Sequence, residues 1–236
     1  MKALAENLER LEEAIAAACR KAGRPRSEVE LMAVSKTYPA STVIEAASLG
    51  LHLFGENRVQ EWQIKRADLA DLFPSAQVHL IGPLQNNKTS KAAEIFDAID
   101  TLDSLKTAER LNAAALALNK TLRILIEVKL SPEDTKHGLA PEDLPTLLRA
   151  LAPFKNIQPR GLMTVPPFDE NPETARPYFQ HLRQLRDDNL TLCPALTDLS
   201  MGMSNDFAVA IEEGSTTVRI GTAIFGKRVY PPSYPQ

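Results

Sequence analysis

Several features that announce common chemistries are missing from this sequence. Its 236 residues hold two cysteines, Cys19 and Cys193, far apart and with no C-x-x-C. Both read as small buried hydrophobes, which suits a reducing cytoplasm. No apolar run approaches the roughly 20 residues that span a bilayer. The N-terminus opens with Glu6, Glu9, Arg10, Glu12 and Glu13 rather than an apolar signal core, so the expectation is a protein neither exported nor inserted. An excess of positive charge is missing too, since 27 Lys and Arg face 30 Asp and Glu for a net charge of -3. That balance offers no general attraction to nucleic acid or to an anionic membrane. The four histidines, His52, His79, His137 and His181, form no i, i+4 pair and have no cysteine neighbour, which removes a metal reading. Neither G-x-S-x-G nor G-x-G-x-x-G occurs, so a nucleophile elbow and a dinucleotide fingerprint are excluded as well.

What is present is a repeated grammar of short apolar runs and amphipathic stretches. Leu4, Leu8, Leu11, Ile15, Ala18 and Cys19 recur at helical spacing, and Gly23 with Pro25 closes this leading helix. Eight strand signals follow, at Leu31 to Val34, His52 to Gly55, Val78 to Gly82, Ala98 to Leu102, Leu122 to Lys129, Gly161 to Val165, Ala195 to Ser200 and Thr217 to Ile220. Helical spacing returns after each of the first seven: Ser41 to Gly50, Val59 toward Phe73-Pro74, around Lys91 to Phe96, Leu105 to Asn119, Pro141 to Ala152, Pro172 to Asp188 and Asp206 to Glu213. Short connections without a composition break argue for one α/β domain over residues 1–236, a single (β/α)8 TIM-type barrel with an extra N-terminal helix. A doubly wound open sheet is the alternative. The proline-rich end, residues 228–236, reads as an extended tail.

In such a barrel the loops after the strands gather on one face, which carries the chemistry. Lys36 stands just past the first strand, and Pro39 sets the start of the following helix. Taken alone, Lys36 is either a solvated loop lysine or an amine desolvated at the barrel mouth, able to attack a carbonyl. The same post-strand filter returns Asn57, Gln85 with Asn86, Ser104, Lys129, Met163, the run Ser200 to Ser204, and Arg219 with Gly221 and Thr222. Small residues at Ser200 to Ser204 and at Gly221-Thr222 follow strands seven and eight, where barrels hold phosphate on backbone N-H groups. Arg219 would point either into the barrel mouth or onto the helices, and its plain structural reading is an ion pair with a nearby carboxylate such as Asp198.

The motifs Ala33-Val34-Ser35-Lys36-Thr37, Phe54-Gly55-Glu56-Asn57 and His79 through Lys88 stand in order along the chain. So do Gly161-Leu162-Met163, Leu199 through Ser204 with Asp206, and Arg219-Ile220-Gly221-Thr222 with Phe225-Gly226. Through them nearly the whole chain resembles the pyridoxal phosphate homeostasis proteins, the family like the N-terminal domain of alanine racemase. The resemblance implies pyridoxal 5'-phosphate as cofactor, its aldehyde held by Lys36 as an internal aldimine. It implies that Ser200, with backbone from Met201, Gly202, Met203 and Ser204 and from Gly221 and Thr222, holds the phosphate. Arg219 would face the pyridine nitrogen, and Asn57 and Met163 would line the ring pocket. The loop Lys136-His137-Gly138 also resembles a family segment, without an assigned role.

An arginine keeps its proton, so beside the pyridine nitrogen it disfavours a second positive charge and weakens the electron sink. Related racemases carry a second base in a further β domain, whereas here ten residues follow Gly226. The expectation is a monomeric, cytoplasmic, non-catalytic carrier and buffer of pyridoxal phosphate, with apo forms of cofactor-dependent enzymes as its recipients. The alternative is a pyridoxal-phosphate-dependent amino-acid racemase or lyase.

Overall fold

The structure, a computed structural model, describes residues 2–69, 76–131, 133 and 137–226. The expected approach of a helix to Phe73-Pro74, residue Lys136 and the tail from 228 lie outside the described residues.

Helix α1 (Lys2–Lys21) leads into strand β1 (Glu30–Val34), and then strand and helix alternate. The order is α2 (Ala40–Ser48), β2 (Leu53–Glu56), α3 (Val59–Ala67), β3 (Gln77–Leu80), α4 (Thr89–Ile95), β4 (Ala98–Leu102) and α5 (Leu105–Ala117). It continues with β5 (Leu122–Glu127), α6 (Leu144–Leu151), β6 (Ile157–Met163), α7 (Arg176–Asn189), β7 (Asp198–Ser200), α8 (Phe207–Glu212), β8 (Thr217–Ile220) and α9 (Thr222–Phe225). All eight strands are parallel, each pairs with the next, and β8 pairs back to β1, so the barrel is closed and the open-sheet alternative falls away. The closing register runs from Glu30 opposite Thr217 to Ala33 opposite Ile220.

Strand residues alternate between two environments because successive side chains leave opposite faces. Leu31 and Ala33, Phe54, Val78 and Leu80, Ile124 and Ile126, Leu199, and Val218 and Ile220 belong to the apolar core packed under the helices. Their neighbours Met32, Leu53, His79, Asp100, Leu125, Met163, Ser200 and Arg219 are equally buried yet outside that core, and they fill the barrel axis. Runs of apolar residues in β1 and β5 follow from this two-sided burial.

Most strand bounds shift by one or two residues from those expected, and β6 and β7 differ most. β6 begins at Ile157 and takes in Pro159, which stands opposite Ile124 just before a register shift that passes over Arg160 and resumes at Gly161 opposite Leu125. β7 is only three residues long, since Cys193 to Thr197 close local bonds instead, Leu196 N to Cys193 O at 3.0 Å and Thr197 N to Ala195 O at 2.9 Å.

The extra helix has a structural task. α9 is four residues long, too short to cover the β8–β1 seam, and α1 lies there instead, packed on α8 and α9. Its buried stripe is Leu4, Leu8, Leu11, Ile15, Ala18 and Cys19, the set that helical spacing predicts. Asn7 donates to the Ile224 carbonyl at 2.8 Å, and Arg24 donates to the carbonyls of Ile211 and Ser215 at 2.9 Å each. Because Ile15 is fully buried in this cover, Ile15→Ala should cost about 2 to 5 kcal/mol in urea unfolding. A change near zero would show that α1 is an appendage rather than part of the wall.

Candidate functional site

The carboxyl ends of the strands surround a cavity of about 420 Å³. Its wall takes Val34 and Lys36 from the β1 end, Asn57 after β2, Gly82 and Pro83 after β3, and Glu127 from β5. The loop between β6 and α7 contributes residues from Val165 to Ala175, the loop after β7 contributes Met203 to Asp206, and β8 supplies Arg219, Gly221 and Thr222.

Lys36 owes its place to strand alternation followed by a sharp turn. Met32, Val34 and Lys36 share the axial face, and Ser35 continues the β1–β2 pairing by donating from its N-H to the Gly55 carbonyl at 3.1 Å. Tyr38 N then bonds back to Ser35 O at 3.1 Å, and α2 starts after Pro39. Thr37, between them, has φ 69°, a left-handed conformation unusual for a β-branched residue. Tyr38 ties this turn to the far end of the chain, its hydroxyl donating to Gly226 O at 2.9 Å and its ring lying 4.8 Å from that of Phe225. Packing, not chemistry, is what the tyrosine does here.

Arg219 is the buried cation of the site, 4% exposed. It donates from Nη1 to Ser200 Oγ and from Nη2 to Thr164 O, both at 2.8 Å. Burial pulls its pKa below the ordinary guanidinium value, while Asp100, Glu127 and Asp206 push it back up. An ion pair with Asp198 is not formed. Asp198 sits at the opposite end of the barrel and accepts from Arg123 at 2.9 Å. Asp206 accepts from Met203 N at 2.6 Å, and burial raises its carboxyl above the usual range against the pull of that N-H and of Arg219.

The structure gathers Lys36, Asn57, Met203, Ser204, Arg219, Gly221 and Thr222 around one cavity. Met163, Ser200, Met201 and Gly202 do not line it. Met163 and Ser200 are register partners, both buried beneath the cavity floor, and Ser200 reaches the site through Arg219. Met201 packs into the core under the helices. Gly202, at φ 96°, lets the loop pass α8 where a Cβ would lie 2.6 Å from Ala210 Cβ. The N-H groups of Ser204, Asn205 and Thr222 meet no acceptor among the described residues, and Ser204 Oγ accepts from Ala223 N at 3.4 Å, joining the two loops.

Other post-strand candidates have structural partners. Ser104 caps α5 through Thr107 N at 3.4 Å, Asn86 Oδ1 accepts from Thr107 Oγ1 at 3.4 Å, and the Lys129 N-H bonds Leu139 O at 2.9 Å. His79 lies inside the barrel 3.3 Å from Asp100, and no cluster of three or more metal-ligating residues exists among the described residues. Glu127 lines the cavity unannounced by any motif, and His137 lines it from the loop that resembles a family segment without an assigned role. Gly82 was a readable signal, because a Cβ there would fall 2.3 Å from the Asn57 carbonyl, so only glycine lets these two loops meet.

The family described as alanine racemase, N-terminal domain, matches residues 3–229. The pyridoxal phosphate homeostasis protein of Aquifex aeolicus is 44% identical over 226 residues, covering 95% of this chain and 98% of the relative. That of Pseudomonas aeruginosa is 44% identical over 230 residues, covering 98% of each. The chain belongs to the pyridoxal phosphate homeostasis protein family. Among the family's solved structures, PipY of Synechococcus elongatus with pyridoxal phosphate bound superposes with a TM-score of 0.84 at 39% identity, covering 94% of this chain and all of PipY.

Arg219→Met strips Asp100, Glu127 and Asp206 of their shared counter-charge. Urea unfolding should show a loss of about 3 to 5 kcal/mol, whereas a loss under about 1 kcal/mol would mean that these carboxylates are neutralised elsewhere.

Proposed function

We propose that this chain is a non-catalytic carrier and buffer of pyridoxal phosphate, held covalently and reversibly on Lys36. The observation that carries this reading is that one cavity brings together a lysine amine, a buried guanidinium and backbone N-H groups without acceptors among the described residues. Its family relative PipY is solved with pyridoxal phosphate bound. When bound, this group supplies an aldehyde that condenses reversibly with a primary amine.

The donor set fits both ends of the ligand. The N-H groups of Ser204, Asn205 and Thr222 would bind phosphate oxygens, with Gly221 allowing close approach. Arg219 would donate to the ring nitrogen, and its own permanent charge opposes a proton there. Asn57 would line the ring, while Met163, Ser200, Met201 and Gly202 would act by holding Arg219 and the β7 loop in place. With the ring nitrogen unprotonated, carbanion chemistry is poorly supported, and holding the group becomes the task. We read the chain as a monomer of the cytoplasm that passes the cofactor to apo enzymes. No described helix is long and apolar enough to cross a membrane.

Purified protein with added pyridoxal phosphate should gain a visible absorption band that Lys36→Ala removes. Mapping of the borohydride-reduced adduct to Lys129 or Lys136 would sink the assignment. Pyridoxal should bind more weakly than pyridoxal phosphate, by roughly 1.5 to 3 kcal/mol for each charge-assisted hydrogen bond lost. The loaded protein, given L- or D-alanine or serine, should neither racemise them nor form keto acids. Turnover on the order of 1 per second or faster, lost in Lys36→Ala, would make it an enzyme with Glu127 or His137 in an acid/base role.

A further inference from the structure

Behind the Lys36 turn lies a polar cluster that the carrier reading leaves unused. Lys65, on α3, is 7% exposed and donates to Glu56 Oε1 at 2.7 Å and to the Ser35 carbonyl at 3.0 Å. Glu56, the last residue of β2, is fully buried and also accepts from the Ser35 hydroxyl at 2.7 Å. Glu61, one helical turn before Lys65, lies 3.5 Å from its Nζ and accepts from the Thr37 N-H at 2.5 Å. The cluster therefore grips the main chain on both sides of Lys36, the carbonyl of the residue before it and the N-H of the residue after.

An ion pair buried only for stability has no need of these contacts, and buried pairs contribute little net stability. Thr37 sharpens the point. It is held in the left-handed region, and its buried hydroxyl has no partner among the described residues, so its own side chain does not maintain the conformation. The Thr37 N-H bond to Glu61 and the Tyr38 N-H bond to the Ser35 carbonyl hold the turn together, and the turn carries the chain away to α2 directly after Lys36. Burial raises the Glu56 carboxyl, and the Lys65 ammonium and the Ser35 hydroxyl bonded to it oppose the shift.

We propose that Glu61 and Lys65, with Glu56 as their buried anchor, are positioning residues that set the attack geometry of the Lys36 amine. This rests on Lys36 being the residue that takes the cofactor. None of Glu56, Glu61 and Lys65 lines the cavity or belongs to the loops after β7 and β8, so covalent capture and phosphate-end binding should separate when they are altered.

The experiment compares wild type with Glu61→Gln, Lys65→Met, Thr37→Gly and the double variant Glu61→Gln/Thr37→Gly. Covalent occupancy is read from the visible band and from the borohydride-reduced peptide carrying Lys36. Phosphate-end binding is read separately with pyridoxine phosphate, which has no aldehyde. Loss of the charge-assisted bond in Glu61→Gln should lower covalent occupancy at equal ligand about tenfold, with pyridoxine phosphate affinity held within about twofold. Thr37→Gly in the Glu61→Gln background should restore much of it, because glycine reaches positive φ without help. Lys65→Met should act in the same direction; if it fails to fold, Glu61→Gln, whose side chain is 15% exposed, still decides. Unchanged occupancy on Lys36 in all variants overturns the proposal alone, as does a parallel fall of both ligands with the melting temperature. A wild-type adduct on a different lysine overturns the Lys36 assignment and this proposal with it.

Discussion

Hydrogen bonding between the first and last strands is the contact on which everything else depends. It places Met32 beside Arg219 and Ala33 beside Ile220, so that the lysine two residues past one strand and the small-residue loop past the other become neighbours. Residues far apart in sequence share a site for this reason alone. Past the strand ends, Tyr38 extends the connection by packing on Phe225 and bonding Gly226. The seam is sealed from outside by α1, since α9 is too short to do so. Lys36 and the β8 loop are thus fixed relative to each other by strand, ring and helix together.

Charge inside the barrel is layered along its axis. Arg123 and Asp198 pair at the floor, His79 and Asp100 meet higher up, and Arg219 stands nearest the cavity. Three carboxylates, Asp100, Glu127 and Asp206, act on that single guanidinium. In the proposed carrier reading, a phosphate would depend on directed backbone N-H groups at short range, where geometry matters more than field.

The eight strand signals were legible because a parallel barrel buries both faces of each strand, leaving short apolar runs bounded by polar turns. The α1 stripe was legible from its spacing for a similar reason. Bounds failed where backbone pairing outvoted composition: Pro159 reads as a breaker, yet β6 takes it in opposite Ile124, just before a register shift. In the site, Lys36, Asn57 and the β7 and β8 loops were readable because position after a strand is a local property. Lys65 was not, since Glu61 and Lys65 at i, i+4 on an amphipathic helix read as a solvated surface pair. Only the packing of α3 against the β1–β2 edge turns that pair inward, and such packing is non-local. The resting places of Met201 and Ser200 depended likewise on which face each strand residue takes.

The cover made by α1 also has a temporal meaning. Asn7 meets Ile224 across 217 positions of sequence, and Glu30 pairs with Thr217. A ribosome releases the first helix long before the strand it must cover, so α1 waits without its partner surface while the middle of the barrel is made. Pairings so distant in sequence raise the contact order, which slows folding. The cavity takes wall residues from the ends of both β1 and β8, so it is complete only once these two strands have paired.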